Sequence, residues 1–444
     1  MAQKNIGKIT LAGSSIISRL VIILSSLYKG ISNIKNISKS NEINNLITIL
    51  KQFGINIIEN NDIIMINGKN ISSWEQPENI INIESSFDTL SYILSIISSN
   101  KIRTFITGNS KFIKNNLNSL KYLQNNNNLF FKNEYRLPLM TEGKMIPLKN
   151  NQIAENIIKK NSLIFHFFTY NKDCVILDKE VNEEYLEQLL RYSGVEIKET
   201  IIDNKHIFTK NIKKSKEIFI QKTDNKISGK DFTIPVDIEE AFYTIFIGLL
   251  LNVEEFYIEN VSVNDLNCDI TKILIDNGVN LEFRNQKILN GIKVVDFYIK
   301  RSILKPITVS KNRLENIMNL YPALIILNIL KYNELKLVGL KGLKNTDSIN
   351  YNYLIKTLKS INVSFTENKD ILEISCNNIS LGNGNIVLDN LGNIDEKVIL
   401  PLFLSNIALS KNIFKKNNLE DIKNIFPNLL NVLEQFNMEI IYDN

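Results

Sequence analysis

Histidine and cysteine are scarce in this chain, and their scarcity closes off several kinds of chemistry. Only His166 and His206 serve 444 residues, too few parts for a histidine-based zinc site or a Ser-His-Asp machine. Cys174, Cys268 and Cys376 stand far apart, so neither a disulfide framework nor a CxxC metal motif is available, and a reducing compartment is indicated. No run approaches the ~18 uninterrupted apolar residues of a membrane span; the best, around Leu320 to Leu330, reads as a buried helix. The N-terminus has no signal-peptide pattern of an apolar stretch followed by a cleavage site. The net charge of +5 is spread along the chain rather than gathered with aromatics into a nucleic-acid stripe. The expectation is a cytoplasmic protein with neither a membrane nor a nucleic acid as partner.

What is present is a recurring phrase, an apolar helical stretch ending in Leu-x-x-x-Gly or Asn that runs into a short strand. Its copies are LKQFGINI (Leu50 to Ile57), LRYSGVEI (Leu190 to Ile197), LIDNGVNL (Leu274 to Leu281), LKSINVSF (Leu358 to Phe365) and LEQFNMEI (Leu433 to Ile440). A worn sixth, LKYLQNNNNLFF, begins at Leu120. Starting points about 70 to 84 residues apart suit one supersecondary module per copy. Gly or Asn after the last helical turn accepts a left-handed backbone, and the alternating residues beyond it form a strand. Each phrase follows an earlier helix that is apolar nearly all round: Ser18–Tyr28, Ser86–Ser98, Ser162–Tyr170, Glu239–Leu251, Met318–Leu330 and Val398–Leu409. Such helices must be packed on all sides, which predicts an α/β protein with helices inside and sheets outside. Asn125–Asn128 and the stretch near Lys210–Lys216 read as loop or linker, and Lys213, Lys214 and Lys216 as solvated surface.

Six modules in two halves, with inner helices, resemble the enolpyruvyl transferase fold, an inside-out α/β barrel of βαβαββ-like modules, three per domain. The resemblance implies one domain over residues 18–228 and a second over residues 1–17 plus 229–444, with the N-terminal strand crossing into the second. Local motifs are similar to those of the 5-enolpyruvylshikimate-3-phosphate synthases. ITLAGSSIISRLVIILSSLY (Ile9 to Tyr28) resembles that family's strand-GSKSxSNR element; Gly13, Ser14 and Ser18 match, its lysine falls on Ser15, and its arginine falls on Leu20 beside Arg19. TGNSK (Thr107 to Lys111) resembles TGxxR, with Lys111 on the arginine that holds the phosphate of phosphoenolpyruvate. SKSNEI (Ser38 to Ile43) resembles an S-x-D-D segment, and the SSQ that contacts the shikimate ring and phosphate falls on Asn161-Ser162-Leu163. PVDIEEAFY resembles xxDxSSASY, keeping Asp237 and placing Glu239 and Glu240 on two serines. In GLKGLKNTDSI, Lys344, Thr346 and Asp347 match RxKETDR; IDEKVIL puts Lys397 on the arginine of DHRMAM; NIFPNLL keeps Pro427, with Lys423 beside the expected lysine position. The proton-transfer aspartate falls near Asn319, and neither Leu320 nor Tyr321 beside it is acidic.

That resemblance implies transfer of the enolpyruvyl group of phosphoenolpyruvate to a hydroxyl of shikimate 3-phosphate by a monomer, without cofactor or metal. Two polyanions must be held together while a proton is moved, which calls for a cationic cluster and an acid–base group. Ser14, Ser15, Arg19, Lys111, Ser162, Asp237, Lys397 and Lys423 are the candidate substrate-binding positions; Lys344 and position Asn319 are the candidate catalytic ones. A second reading is a catalytically impaired relic that keeps the fold and binds anions, since Ser15 and Asn319 replace a lysine and an aspartate. The related enzymes acting on UDP-N-acetylglucosamine would carry a cysteine near Asn109 to Lys111, and none is there. Asp237 and Ser162 also have bland readings as helix caps, and His166, in LIFHFF, as a core histidine.

Overall fold

The computed structural model describes residues 6–60, 63–98, 100–110, 112–124, 129–133, 135–143, 148–179, 185–204, 213–222, 227–264, 268–331, 334–360, 363–375, 396–410 and 426–438. The chain divides into two compact units: a first of Gly13–Ile234 with Ile288–Ile292, and a second of Met1–Ala12, Pro235–Lys287 and Lys293–Asn444.

One module plan recurs in both. A strand leads through an inner helix to a second, parallel strand; an outer helix and a hairpin follow, and the last strand of the hairpin pairs with the second strand antiparallel. In the first unit this gives β5 (Ile81–Asn82), α3 (Phe87–Ile97), β6 (Arg103–Thr107), α4 (Lys121–Gln124), β7 (Leu129–Asn133) and β8 (Arg136–Glu142), with sheet order β5-β6-β8-β7. The next module repeats it with β9 (Asn151–Ala154), α5 (Ile157–Tyr170), β10 (Cys174–Asp178), α6 (Tyr185–Tyr192), β11 (Ile197–Asn204) and β12 (Lys213–Ile220), ordered β9-β10-β12-β11. In the second unit β17 (Ile307–Val309), α9 (Lys311–Asn316), α10 (Tyr321–Lys331), β18 (Glu334–Val338), α11 (Leu340–Ser360), β19 (Phe365–Asn368) and β20 (Ile371–Ser375) form β17-β18-β20-β19. Described residues of the sixth module include α12 (Glu396–Ser410) and α13 (Leu429–Gln435).

Two modules borrow their opening strand. The sheet of α1 (Ser15–Leu27), β2 (Gly30–Lys35), α2 (Asn41–Gln52), β3 (Asn56–Asn60) and β4 (Ile63–Gly68) is completed by β13 (Phe232–Thr233), parallel to β2. The sheet of α7 (Ile238–Leu250), β14 (Glu255–Ser262), α8 (Cys268–Asp276), β15 (Asn280–Leu289) and β16 (Ile292–Lys300) is completed by the N-terminal β1 (Gly7–Ile9), parallel to β14.

The inner helices are buried on all sides: Ile17 to Ser26 of α1 without a break, Thr89 to Ile97 of α3, and Tyr321 to Ile329 of α10. Strands such as β8 alternate between buried and partly exposed residues, as outer sheets do. The helix stops fall where the repeated phrase puts them. Gly54, Gly194 and Gly278 have φ of 76°, 94° and 89°, and Asn437 has 57°, the left-handed stop that spares the helix an unsatisfied last turn. Asn362 and Asn125–Asn128 lie outside the described residues.

One expectation is overturned. Lys213 to Lys216 are not linker but the first half of β12, the strand between β10 and β11. Lys216 is 2% exposed, with its ammonium 3.7 Å from Glu199. Period-two alternation with Ile218 and Ile220, both buried, overrides the charge of the segment. Among the described residues no helix is long and apolar enough to cross a membrane.

Candidate active site

In the first unit the polar residues gather at the N-terminal ends of α1, α3 and α5. The chain reaches α1 through Gly13, where a Cβ would lie 2.4 Å from the Asn36 carbonyl oxygen and 2.5 Å from the Ile234 side chain; only glycine fits so close an approach. Ser14, fully buried, caps α1 by accepting from the Ile17 N–H at 3.5 Å. Ser15, at the lysine position of the motif, has its Oγ 2.6 Å from Ser38 Oγ and 3.3 Å from Ser40 Oγ. A hydroxyl cluster thus stands where a cation was to be expected.

Arg19 points inward and is 5% exposed. Its Nη1 donates to Asp88 Oδ2 at 3.0 Å, and its Nη2 to the Glu42 carboxylate. The guanidinium therefore ties α1 to the first turns of α2 and α3. Leu20, the other alignment of the arginine, is core at 1% exposure.

Ser162 lies deeper than the sequence suggests. The helix opens earlier, at Ile157, with Asn156 as its cap accepting from the Lys159 N–H at 2.9 Å, so Ser162 is buried in mid-helix. It faces the buried Tyr122 hydroxyl with Ser95, although none of the three closes a hydrogen bond of normal geometry. Burial pushes the Tyr122 phenol up to about 12, against the opposing pull of Ser162 and Ser95.

A cavity of about 260 Å³ opens at the N-terminal ends of α3 and α5, lined among others by Phe87, Ser91, Lys121, Tyr122, Asn156 and Lys159. Helix N-termini and ammonium groups together make an anion-compatible site. Lys159 is paired with Glu155 at 2.6 Å and lies over the Tyr122 ring at 5.3 Å. Sequence reasoning missed Lys121 and Lys159. The pair Lys159-Lys160 in the sequence was a signal, but it does not say which lysine turns inward. The structure turns Lys160 in, fully buried between Glu187 and Asp178.

The second unit gathers the ends of α7, α10 and α12, which pack against one another. Asp237 caps α7, its Oδ1 accepting from the Glu239 N–H at 2.8 Å. Glu240 is 5% exposed and accepts from the Asn428 side chain. Burial, with the charge of Asp237 adding to it, holds the Glu240 carboxyl well above its ordinary value. Asn428 also accepts from the Ala12 N–H at 2.7 Å, a role that only the fold reveals for the residue after Pro427. Asn319 donates from Nδ2 to Glu239 Oε1 at 3.2 Å. Next to it Tyr321 donates its hydroxyl to Asp347 Oδ2 at 3.0 Å, and Lys397 Nζ lies 3.1 Å from the same oxygen. Asp347 interrupts α11 with non-helical φ and ψ, and its Oδ1 accepts from Asn350 at 2.6 Å.

Lys344 is turned to another partner. Its ammonium pairs with Glu367 and lies 5.3 Å from the Tyr351 ring centroid. Burial alone would raise the Glu367 carboxyl, but hydrogen bonds from Lys344 and Tyr351 outweigh it and hold it below the ordinary range. Lys111 and Lys423 lie outside the described residues. Among the described residues no group of three or more His, Cys, Asp or Glu side chains is placed to hold a metal ion.

The fold has counterparts among known proteins. A solved EPSP synthase from Acinetobacter baumannii superposes with a TM-score of 0.77 at 18% identity, over 98% of this chain and 96% of that one. The enolpyruvyl transferase NikO from Streptomyces tendae gives 0.62 at 10% identity, over 98% and 95%. The 3-phosphoshikimate 1-carboxyvinyltransferase of Petrotoga mobilis is 21% identical over 434 residues, 96% of each chain. That of Caldicellulosiruptor saccharolyticus is 25% identical over 324 residues, 72% of each. The family model for EPSP synthase (3-phosphoshikimate 1-carboxyvinyltransferase) matches residues 2–387. With that match running through five of the six inner helices and most of the motif positions described above, the chain belongs to the EPSP synthase family.

Proposed function

We propose that this chain transfers the enolpyruvyl group of phosphoenolpyruvate to shikimate 3-phosphate, giving 5-enolpyruvylshikimate 3-phosphate and phosphate, a step of chorismate and aromatic amino-acid biosynthesis. The observation that carries the reading is the meeting of Tyr321, Asp347 and Lys397, with Asn319 on Glu239, at the ends of the inner helices of the second unit, at or beside matched motif positions. Substrates carrying phosphate and carboxylate groups need cations and helix N-termini. Lys397, Lys344, Lys111 and Lys423 supply charge at or next to motif positions. Ser14 and Ser15, with Lys121 and Lys159 at the cavity, serve the first unit. Ser162 and Asp237 act from within α5 and at the cap of α7. Arg19 acts by holding Glu42 and Asp88 rather than as a free cation.

The reading extends to a cytoplasmic monomer that works without a cofactor; light scattering behind size exclusion tests the monomer. A coupled phosphate-release assay on purified protein tests the reaction. Phosphate release that requires both substrates is expected. Release absent while shikimate 3-phosphate still binds would favour the second reading, an impaired relic, for which Ser15 and the missing carboxylate at residues 319–321 speak.

A further inference from the structure

We propose that the proton-transfer carboxylate of this chain has moved across a hydrogen bond, from position 319 to Glu239 on the first turn of α7. The inference rests on the enolpyruvyl-transfer reading. Where an acidic residue is to be expected, the chain has Asn319, Leu320 and Tyr321. Leu320 is core at 3% exposure, and Tyr321 is fully buried with its hydroxyl on Asp347. Asn319 is exposed, and its amide donates to Glu239 Oε1 at 3.2 Å. A carboxylate therefore stands one hydrogen bond from where an aspartate at 319 would have carried its own. The exchange is reciprocal, because Glu239 occupies a position that the family motif gives to serine.

Neighbouring carboxylates are otherwise engaged. Asp237 is spent on the cap of α7. Glu240 is buried against Asn428 and held toward its protonated form. Asp347 is bound by Tyr321, Asn350 and Lys397. Glu239 is partly exposed, and its side chain is one methylene longer than aspartate, which lets one group follow a proton between two atoms.

In the step assigned to it, Glu239 takes the proton of the attacking hydroxyl as the new bond from that oxygen to C2 of phosphoenolpyruvate forms. It delivers the proton to C3, and the C2–C3 double bond becomes single. It then removes a proton from C3; the double bond re-forms, the bond from C2 to the phosphate oxygen breaks, and the proton leaves with phosphate. No oxidant or further reactant enters.

The test uses the full chain and two variants. Glu239→Gln keeps an oxygen for the Asn319 amide, so the fold is preserved while the base is lost. A fall in kcat of about 10²–10⁴-fold is expected, with the dissociation constant for shikimate 3-phosphate unchanged by calorimetry. The double variant Glu239→Ser with Asn319→Asp returns the carboxylate across the same hydrogen bond and should recover most of the lost kcat. A Glu239→Gln protein that retains its kcat would overturn the proposal. So would a double variant no better than Glu239→Gln alone, or a parallel loss of binding and kcat. Wild-type protein that binds shikimate 3-phosphate without turning over would also overturn it, leaving the binding reading intact. Protein that binds neither substrate would sink the enolpyruvyl-transfer reading itself.

Discussion

Replacing Lys160 with methionine should destabilise the first unit more than almost any change at its surface. The ammonium of Lys160 is 2.7 Å from Glu187 Oε1 and 3.6 Å from Asp178 Oδ2, and all three side chains are 0% exposed. Methionine has a similar length, so the packing loss is small and the effect is electrostatic: two carboxylates stay buried without their cation. Breaking a buried ion pair from one side costs about 3–5 kcal/mol, because the remaining charge is neither solvated nor compensated. Replacing all three residues with apolar ones removes that penalty with the charges and should be close to neutral, or stabilising by about 1–4 kcal/mol. The single tryptophan, Trp74, lies in this unit, 6% exposed and packed on Phe53, so its fluorescence reports urea unfolding there. With a slope of about 2–3 kcal/mol per molar urea, the Lys160→Met midpoint should fall by about 1–2.5 M. The reasoning is refuted by a shift under about 0.3 M, or by a triple variant as unstable as the single one.

Three further outcomes follow from the structure. Burial pushes His166 down from its ordinary 6.5 to about 4, so the folded state holds it neutral. Its contribution is complete above pH 6.5 and lost as pH falls toward 4, roughly 3 kcal/mol at most; His166→Gln should flatten that limb of a stability–pH curve. The Cys174 thiol, pushed up to about 12 by burial, should resist alkylation at pH 8 in the native protein and react once urea unfolds it, as peptide-resolved mass spectrometry would record; rapid native labelling would contradict the buried placement. Lys397→Ala should weaken binding of the phosphorylated substrates by about 10- to 100-fold, the worth of one charge-assisted contact, and Lys397→Arg should restore or improve it by its planar fork; equal affinity in all three proteins would remove Lys397 from the site.

Local chemistry along the chain determined the repeating unit. Gly54, Gly194, Gly278 and Asn437 all adopt the left-handed backbone that the recurring phrase requires. All six nearly continuous apolar stretches fall on helices, and the stops of the outer helices that follow them are decided within a few residues. The candidate site positions were legible as motif matches. What those side chains touch was not. Arg19 carries its charge in any alignment, yet only packing reveals that Glu42 and Asp88 claim it. Ser162 reads as a cap until α5 is seen to begin at Ile157, and Lys159 and Lys160 are indistinguishable until one faces a cavity and the other two buried carboxylates. Asn428 finds Ala12 and Glu240 only across 416 and 188 residues of sequence, and β1 and β13 complete sheets far from their own neighbours in the chain. Strand partners, buried ion pairs and polar clusters are choices among groups that the chain does not order locally. Their free energy depends on which groups the folded core leaves without water, and that is settled only when the modules pack.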